Sequence, residues 1–132
     1  RICISFIDIN GLKQVNDKLG HKMGDELIIT VVNIINKAIR KEDYIIRMGG
    51  DEFVIVIGNA NYDEAENIWN RIIKMFEHIN ISEDRPYIIS VSQGMVELDE
   101  WKDRDLEDVI KIADEKMYSE KRKIKVDLRV IK

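Results

Sequence analysis

Tyr44-Ile45-Ile46-Arg47-Met48-Gly49-Gly50-Asp51-Glu52-Phe53-Val54-Ile55-Val56-Ile57 sets a glycine pair and two acids between two apolar, largely β-branched runs. Runs of that kind joined by a short glycine-containing turn read as a hairpin, with strands Tyr44 to Met48 and Phe53 to Ile57. Glycine is expected to supply the positive φ of a tight turn. Lacking a Cβ, it also lets a phosphate approach the main chain. Asp51 and Glu52 then face one ligand. Asp8 ends the first apolar run of the chain, and together with Asp51 it offers the oxygen ligands that Mg²⁺ prefers, leaving other positions to phosphate and water. For the turn taken alone, the plain alternative is an Asx-rich surface hairpin, because glycine and aspartate are common turn residues.

Residues 2 to 9 are apolar and β-branched at nearly every position, the pattern of a central strand buried on both faces. Gly11 to Leu19 reads as a short helix ended by Gly20, and Gly24 to Ile39 as a second with Leu27, Val31, Ile34, Ile35 and Ala38 inward. After the hairpin, Gly58-Asn59 makes an exit turn. Asn61 to Asn80 is the clearest helix, with Ala65, Ile68, Trp69, Ile72, Ile73, Phe76 and Ile79 on one face and Asn61 with Glu64 as its cap. Tyr87 to Ser92 reads as a further central strand, continued by Gly94-Met95-Val96 across a glycine bulge. A last helix is expected from Asp105 to Arg122, with Leu106, Val109, Ile110, Ala113 and Met117 inward, and Val126 to Ile131 alternates as a closing strand. There is no internal repeat. An α+β fold satisfies this order, with helices on one face of a mainly antiparallel sheet, in the ferredoxin-like arrangement of nucleotide polymerase and cyclase palms.

The chain of 132 residues has the size of one domain and nothing Pro-, Gly- or Ser-rich divides it; 45% hydrophobic residues are enough for a core. Cys3 is the only cysteine, so neither a disulfide framework nor a zinc cluster can form, in keeping with a reducing, cytoplasmic compartment. No apolar stretch is long enough to cross a bilayer and the first residues do not form a signal peptide, so no membrane contact is expected. A formal charge of −4 argues against broad nucleic-acid binding. Lys121-Arg122-Lys123-Ile124-Lys125 is a local basic cluster, either a site or a solvated surface.

Asp8-Ile9-Asn10-Gly11-Leu12-Lys13-Gln14-Val15-Asn16-Asp17, then Gly20-His21 and Gly24-Asp25, then Gly49-Gly50-Asp51-Glu52-Phe53, then Ala113-Asp114-Glu115-Lys116-Met117-Tyr118 with Lys121 resemble, in order, the GGDEF family of diguanylate cyclases over almost the whole chain. The resemblance implies condensation of two GTP into cyclic di-GMP with release of pyrophosphate. It implies Mg²⁺, with Mn²⁺ as a substitute, held by Asp8, by the carbonyl of Ile9 and by Asp51. Glu52 either helps activate the attacking hydroxyl or supports the turn and the metal ligands. Guanine is expected against Asn16 and Asp25, whose other readings are a helix hydrogen bond and a helix cap. His21 contacts substrate or orders its loop, and Lys13 binds phosphate or is simply exposed. Leu12, where many members carry phenylalanine, belongs to the same substrate site. The N–H groups of residues 10 to 13, with Gly49 and Gly50, stand in for an absent Walker motif as the phosphate cradle. Lys121 matches a phosphate-binding lysine, while Lys125 replaces the usual arginine, keeping the charge but losing the bidentate fork. Asn10 stands where many members have a second aspartate.

The resemblance also implies regulation and partners. Arg40-Lys41-Glu42-Asp43 fits an R-x-x-D product-inhibition site, with Arg71 as its secondary arginine; an ordinary surface ion pair at a helix end is the alternative. One site holds one GTP and the reaction joins two, so a homodimer is expected. A truncated domain from a larger protein follows, with an upstream sensory or dimerising region and any membrane anchor outside this segment. A non-catalytic sensor of GTP or cyclic di-GMP is the alternative function, and a cyclase of relaxed base choice is a third reading that Asp25 disfavours.

Overall fold

The computed structural model describes residues 1–98 and 106–123, and within 106–123 it describes the side chains of 108 and 111–120. In chain order the elements are β1 (Ile2–Ile9), α1 (Leu12–Leu19), α2 (His21–Ala38), β2 (Tyr44–Arg47), β3 (Glu52–Gly58), α3 (Tyr62–Ser82), β4 (Val91–Leu98) and α4 (Leu106–Lys123). The four strands form one sheet in the order β2-β3-β1-β4, with each described pair antiparallel. The expected closing strand at 126 to 131, the helix start at Asp105 and the inward placement of Leu106, Val109 and Ile110 lie outside the described residues and side chains.

β1 is enclosed on both faces, as its unbroken apolar run demands. Cys3, Ile7 and Ile9 face a core built with Leu12, Val15, Leu27, Val31, Ile35, Ile72 and Phe76 from the first three helices. Ile4 and Phe6 face the other way, against Val54, Val96, Leu98, Ala113 and Met117. α4 therefore covers the face opposite α1, α2 and α3, and the expectation of helices on one face is corrected: a strand apolar on both sides needs cover on both. All five residues expected to point inward from α2 are buried.

Boundaries moved where side chains met the backbone. α2 begins at His21, three residues ahead of Gly24, because Gly20 (φ 91) alone makes the corner between the two helices. Gly24 instead lies inside α2, where an added Cβ would sit 2.8 Å from Asn16 Cγ and closer still to its Oδ1. β4 starts at Val91 instead of Tyr87 and is the outer strand of the described sheet. The preceding segment finds its polar partner in a side chain: Asn80 Nδ2 donates to Ile89 O (2.9 Å) and Ile89 N–H donates to Asn80 Oδ1 (2.8 Å), while Tyr87 and Ile89 remain buried. The cap of α3 is as expected, with Asn61 and Glu64 forming a reciprocal capping box.

No bulge occurs at Gly94, since β1 and β4 pair in unbroken register from Ile2 with Leu98 to Ile9 with Val91. Its lack of a side chain serves packing. A Cβ there would meet Met117 N at 2.5 Å and Lys116 Cβ at 2.6 Å, and Ala113 O nearer still, so α4 seats directly on this glycine. Gly94→Ala is expected to lower stability by at least about 1–3 kcal/mol, because two of the obstructing atoms are backbone and the helix must shift. A reduced urea midpoint with an unchanged m-value is the measurement that checks it.

Candidate active site

The site grows from the end of β1. In the β1 to β3 register Asp8 lies directly opposite Glu52, and strand alternation puts both on the face that carries Ile4, Phe6, Val54 and α4. Like charges directly opposed on one sheet face are destabilising, and a divalent cation with carboxylate affinity removes that repulsion. Asp8 is 6% exposed, so its charge sits at the edge of the apolar layer, whereas Asp51 and Glu52 are half-buried. Ile9 N–H donates to Asp51 O at 2.9 Å, which brings the two acid-bearing stretches together. Among the described residues no cluster of three or more His, Cys, Asp or Glu side chains is disposed to hold a metal. Carboxylate oxygens from Asp8 and Asp51 are donors of the kind that Mg²⁺ takes, with phosphate and water able to complete its shell.

Gly49 and Gly50 form the exposed turn. Neither adopts a positive φ, contrary to the hairpin expectation, and a Cβ added to either would meet nothing within 4 Å. The turn closes through Glu52 O, which accepts from Met48 N–H at 2.8 Å and Gly49 N–H at 3.2 Å. Of the N–H groups expected to cradle phosphate, that of Gly49 is therefore engaged within the turn, and that of Asn10 donates to Ser90 O at 2.9 Å. The first turn of α1 is different. Gly11 (φ 78) precedes it and no side chain caps it, which leaves the early N–H groups of that helix for an anion.

Asn10, which stands where the resemblance has a second acid, has a structural part. It is 3% exposed, donates from Nδ2 to Ser90 Oγ (3.0 Å) and accepts from Ser92 Oγ (3.2 Å), tying the end of β1 to the start of β4. A carboxylate could accept the second bond but not donate the first.

Gly24 packs on the Asn16 amide, so the end of α1 touches the first turns of α2, and Asp25 follows this contact by one residue. Asp25 is exposed and inside α2; Gly20 occupies the N-cap, which removes the capping reading of Asp25. His21 is exposed at the first position of α2 and Lys13 is exposed in the first turn of α1. Leu12 is 8% exposed within the core, so its side chain belongs to packing and is not available to a substrate. α4 advances along β4 with Lys116 Nζ donating to Met95 O (3.0 Å) and Glu120 Oε1 accepting from Gln93 N–H (3.1 Å). Its last turn, which contains Lys121, therefore runs toward the Asp8 end of the sheet; the Lys121 side chain and all of Lys125 lie outside what is described.

Arg40 and Asp43 form a clasp, not an exposed ion pair. The Asp43 side chain is 0% exposed and accepts from Arg40 N–H (2.8 Å), Arg40 Nε (3.1 Å), Arg40 Nη2 (3.2 Å) and Gly58 N–H (3.2 Å), while Arg40 Nη2 also donates to Gly58 O. The hydrogen bonds that Arg40 donates to the Asp43 carboxylate hold the Arg40 pKa above the ordinary arginine value. Arg71 reaches across from α3 to donate to Ala38 O at the end of α2, close in sequence to Arg40. Contact between Asp43 and a ligand would require this clasp to open. No local pattern signals this enclosure, because Gly58 lies fifteen residues downstream of Asp43 and its approach is set by the β2 to β3 pairing.

Known proteins place this geometry in a family. The chain matches the family model described as "Diguanylate cyclase, GGDEF domain" over residues 1–126, and it belongs to that family. It is 39% identical over 116 residues to the probable diguanylate cyclase DgcJ of Escherichia coli, covering 87% of this chain and 22% of that protein. It is 34% identical over 126 residues to the diguanylate cyclase DosC of the same species, covering 92% of this chain and 26% of that protein. The GGDEF domain of YfiN (TpbB) from Pseudomonas aeruginosa superposes with a TM-score of 0.82 at 28% identity, covering 99% of this chain and 77% of that one. The GGDEF domain of DgcB from Caulobacter crescentus, solved with c-di-GMP, shares the fold with a TM-score of 0.83 at 23% identity, covering 97% of this chain and 76% of that one. The chain thus spans about a quarter of the length of the curated relatives named. No described helix is long and apolar enough to cross a membrane.

Asp43→Ala removes the acceptor for four donors at once and leaves the Arg40 guanidinium without its enclosed partner. A loss of about 1–3 kcal/mol is expected, because Gly58 N–H loses its acceptor while the one-third exposed Arg40 can turn to water, read as a lowered urea midpoint.

Proposed function

We propose that this chain is a catalytically competent diguanylate cyclase domain that converts two GTP into cyclic di-GMP and two pyrophosphates. The observation that carries the reading is the opposition of Asp8 and Glu52 on one sheet face, beside the uncapped start of α1 and the open ground around Gly49 and Gly50. In each of two steps a ribose 3′-oxygen forms a bond to an α-phosphorus, the bond from that phosphorus to the bridging oxygen breaks, and pyrophosphate leaves with the electron pair. The hydroxyl proton passes to a base or to solvent.

Asp8 and Asp51, with the carbonyl of Ile9, would hold Mg²⁺ or Mn²⁺, and Glu52 acts beside them, either on the attacking hydroxyl or as support for the ligands. When bound, the cation neutralises charge that develops on the triphosphate. Asn16 and Asp25 suit guanine, because a carboxylate accepts from both its ring N–H and its exocyclic amine, a donor pair that adenine lacks. Lys13, His21, Lys121 and Lys125 supply charge or hydrogen bonds for the phosphates. Each protomer binds one GTP, so a homodimer brings the two together, tethered by an upstream sensory or dimerising region of a longer protein. Binding of c-di-GMP by the DgcB domain supports a product site here, with Arg40 and Arg71 as its cations and Asp43 as the group that orients Arg40.

Purified protein given GTP and Mg²⁺ is expected to form cyclic di-GMP, identified by mass spectrometry, with ATP supplied alongside left unused. Asp51→Asn and Asp8→Asn should each lower turnover by several kcal/mol of transition-state stabilisation, on the order of 100-fold or more, while thermal unfolding without metal changes little. A domain that only senses nucleotide would bind GTP and yield no product. Arg40→Ala should relieve inhibition by added cyclic di-GMP; an unchanged inhibition curve rejects the product site.

A further inference from the structure

We propose that Arg47 is a positioning residue that presets the Gly49-Gly50 turn for an oxyanion, an inference that rests on the cyclase reading only for the identity of that anion as a GTP phosphate. The guanidinium donates from Nε to Gly49 O at 3.0 Å and from Nη2 to Gly50 O at 3.0 Å. It also lies over the Phe53 ring, 6.0 Å from its centroid, so it is held from the hairpin side. The described peptide bonds are trans, and in a trans unit the C=O and the following N–H point in opposite directions.

Gly49 C=O shares its plane with Gly50 N–H, and Gly50 C=O shares its plane with Asp51 N–H. Drawing both carbonyls to Arg47 turns both of those N–H groups away from it. Met48 and Gly49 N–H close the turn on Glu52 O, and among the described residues the Gly50 and Asp51 N–H groups have no protein acceptor. Two successive N–H groups fixed in this way offer an anion-binding concavity, and the space around the glycines is open to 4 Å from where a Cβ would be. Arg47 thus acts through the peptide planes, and its fork is the feature that matters: a lysine has charge but cannot grip two carbonyls from fixed positions.

Arg47→Lys and Arg47→Gln in the 132-residue chain separate this role from bulk charge. Inorganic triphosphate, titrated while the Gly50 and Asp51 amide signals are followed by NMR, is expected to shift both in the unmodified protein. In both variants its affinity should fall about tenfold, and kcat for GTP should fall by a similar factor with a smaller change in KM, as expected for a mispositioned group. Unfolding midpoints should stay close to that of the unmodified protein. Wild-type affinity and kcat in Arg47→Lys would overturn the proposal in favour of charge alone, as would Gly50 and Asp51 amides that do not respond to triphosphate. An unmodified protein whose two amides respond but which turns over no GTP would sink the cyclase reading and leave the role of Arg47 standing.

Discussion

A carboxylate at the end of a doubly buried strand is the constraint from which the rest follows. β1 can be apolar at nearly every position only because α1, α2 and α3 cover one face and α4 the other. Full burial of an isoleucine side chain such as Ile7 contributes roughly 1.5–3 kcal/mol, so the register of β1 is strongly set. That register delivers Asp8 to Glu52 with both charges on one face. The core thereby sets two carboxylates opposite each other on one face, an arrangement that a bound divalent cation would favour.

The hairpin is held at both ends by arginine. At its open end Arg40 and Asp43 bind Gly58, where β3 finishes; at its turn Arg47 binds the carbonyls of Gly49 and Gly50. Charge-assisted hydrogen bonds to backbone groups are stronger than neutral ones and directional, which suits a loop that must keep its shape while exposed. The clasp also gives a physical link between the region of Arg40 and the strand that leads from the turn. A ligand that engages the Arg40 guanidinium competes with Gly58 for it.

Glycine has separate duties along this chain. Gly20 makes a corner that only a positive φ allows, and Gly94 lets α4 rest on β4. Gly49 and Gly50 meet neither need: their φ values are ordinary and a Cβ there would touch nothing. Within the protein nothing obstructs a side chain at either position, so neither packing nor a positive φ accounts for glycine there.

The strand at residues 2 to 9, the inward face of α2, the capped α3 and the hairpin were legible in the sequence because they depend on periodicity, capping and turn composition, all local properties. The four motifs in order, from Asp8 to Lys121, likewise carried the resemblance to the family. What the sequence could not disclose were interactions between residues far apart in the chain: the enclosure of Asp43 by Gly58, the seat of α4 on Gly94, the Asn80 amide in place of a ladder before β4, and Asn10 between Ser90 and Ser92. Pattern alone therefore placed Asp8 at the end of the first strand and the glycine pair in the hairpin turn, while the exact positions of Gly24, Glu52 and Gly94 came from the fold. Tertiary packing decided which of them are exposed and which polar groups are already paired, because burial and hydrogen-bond partnership are set by neighbours that only the folded chain brings together.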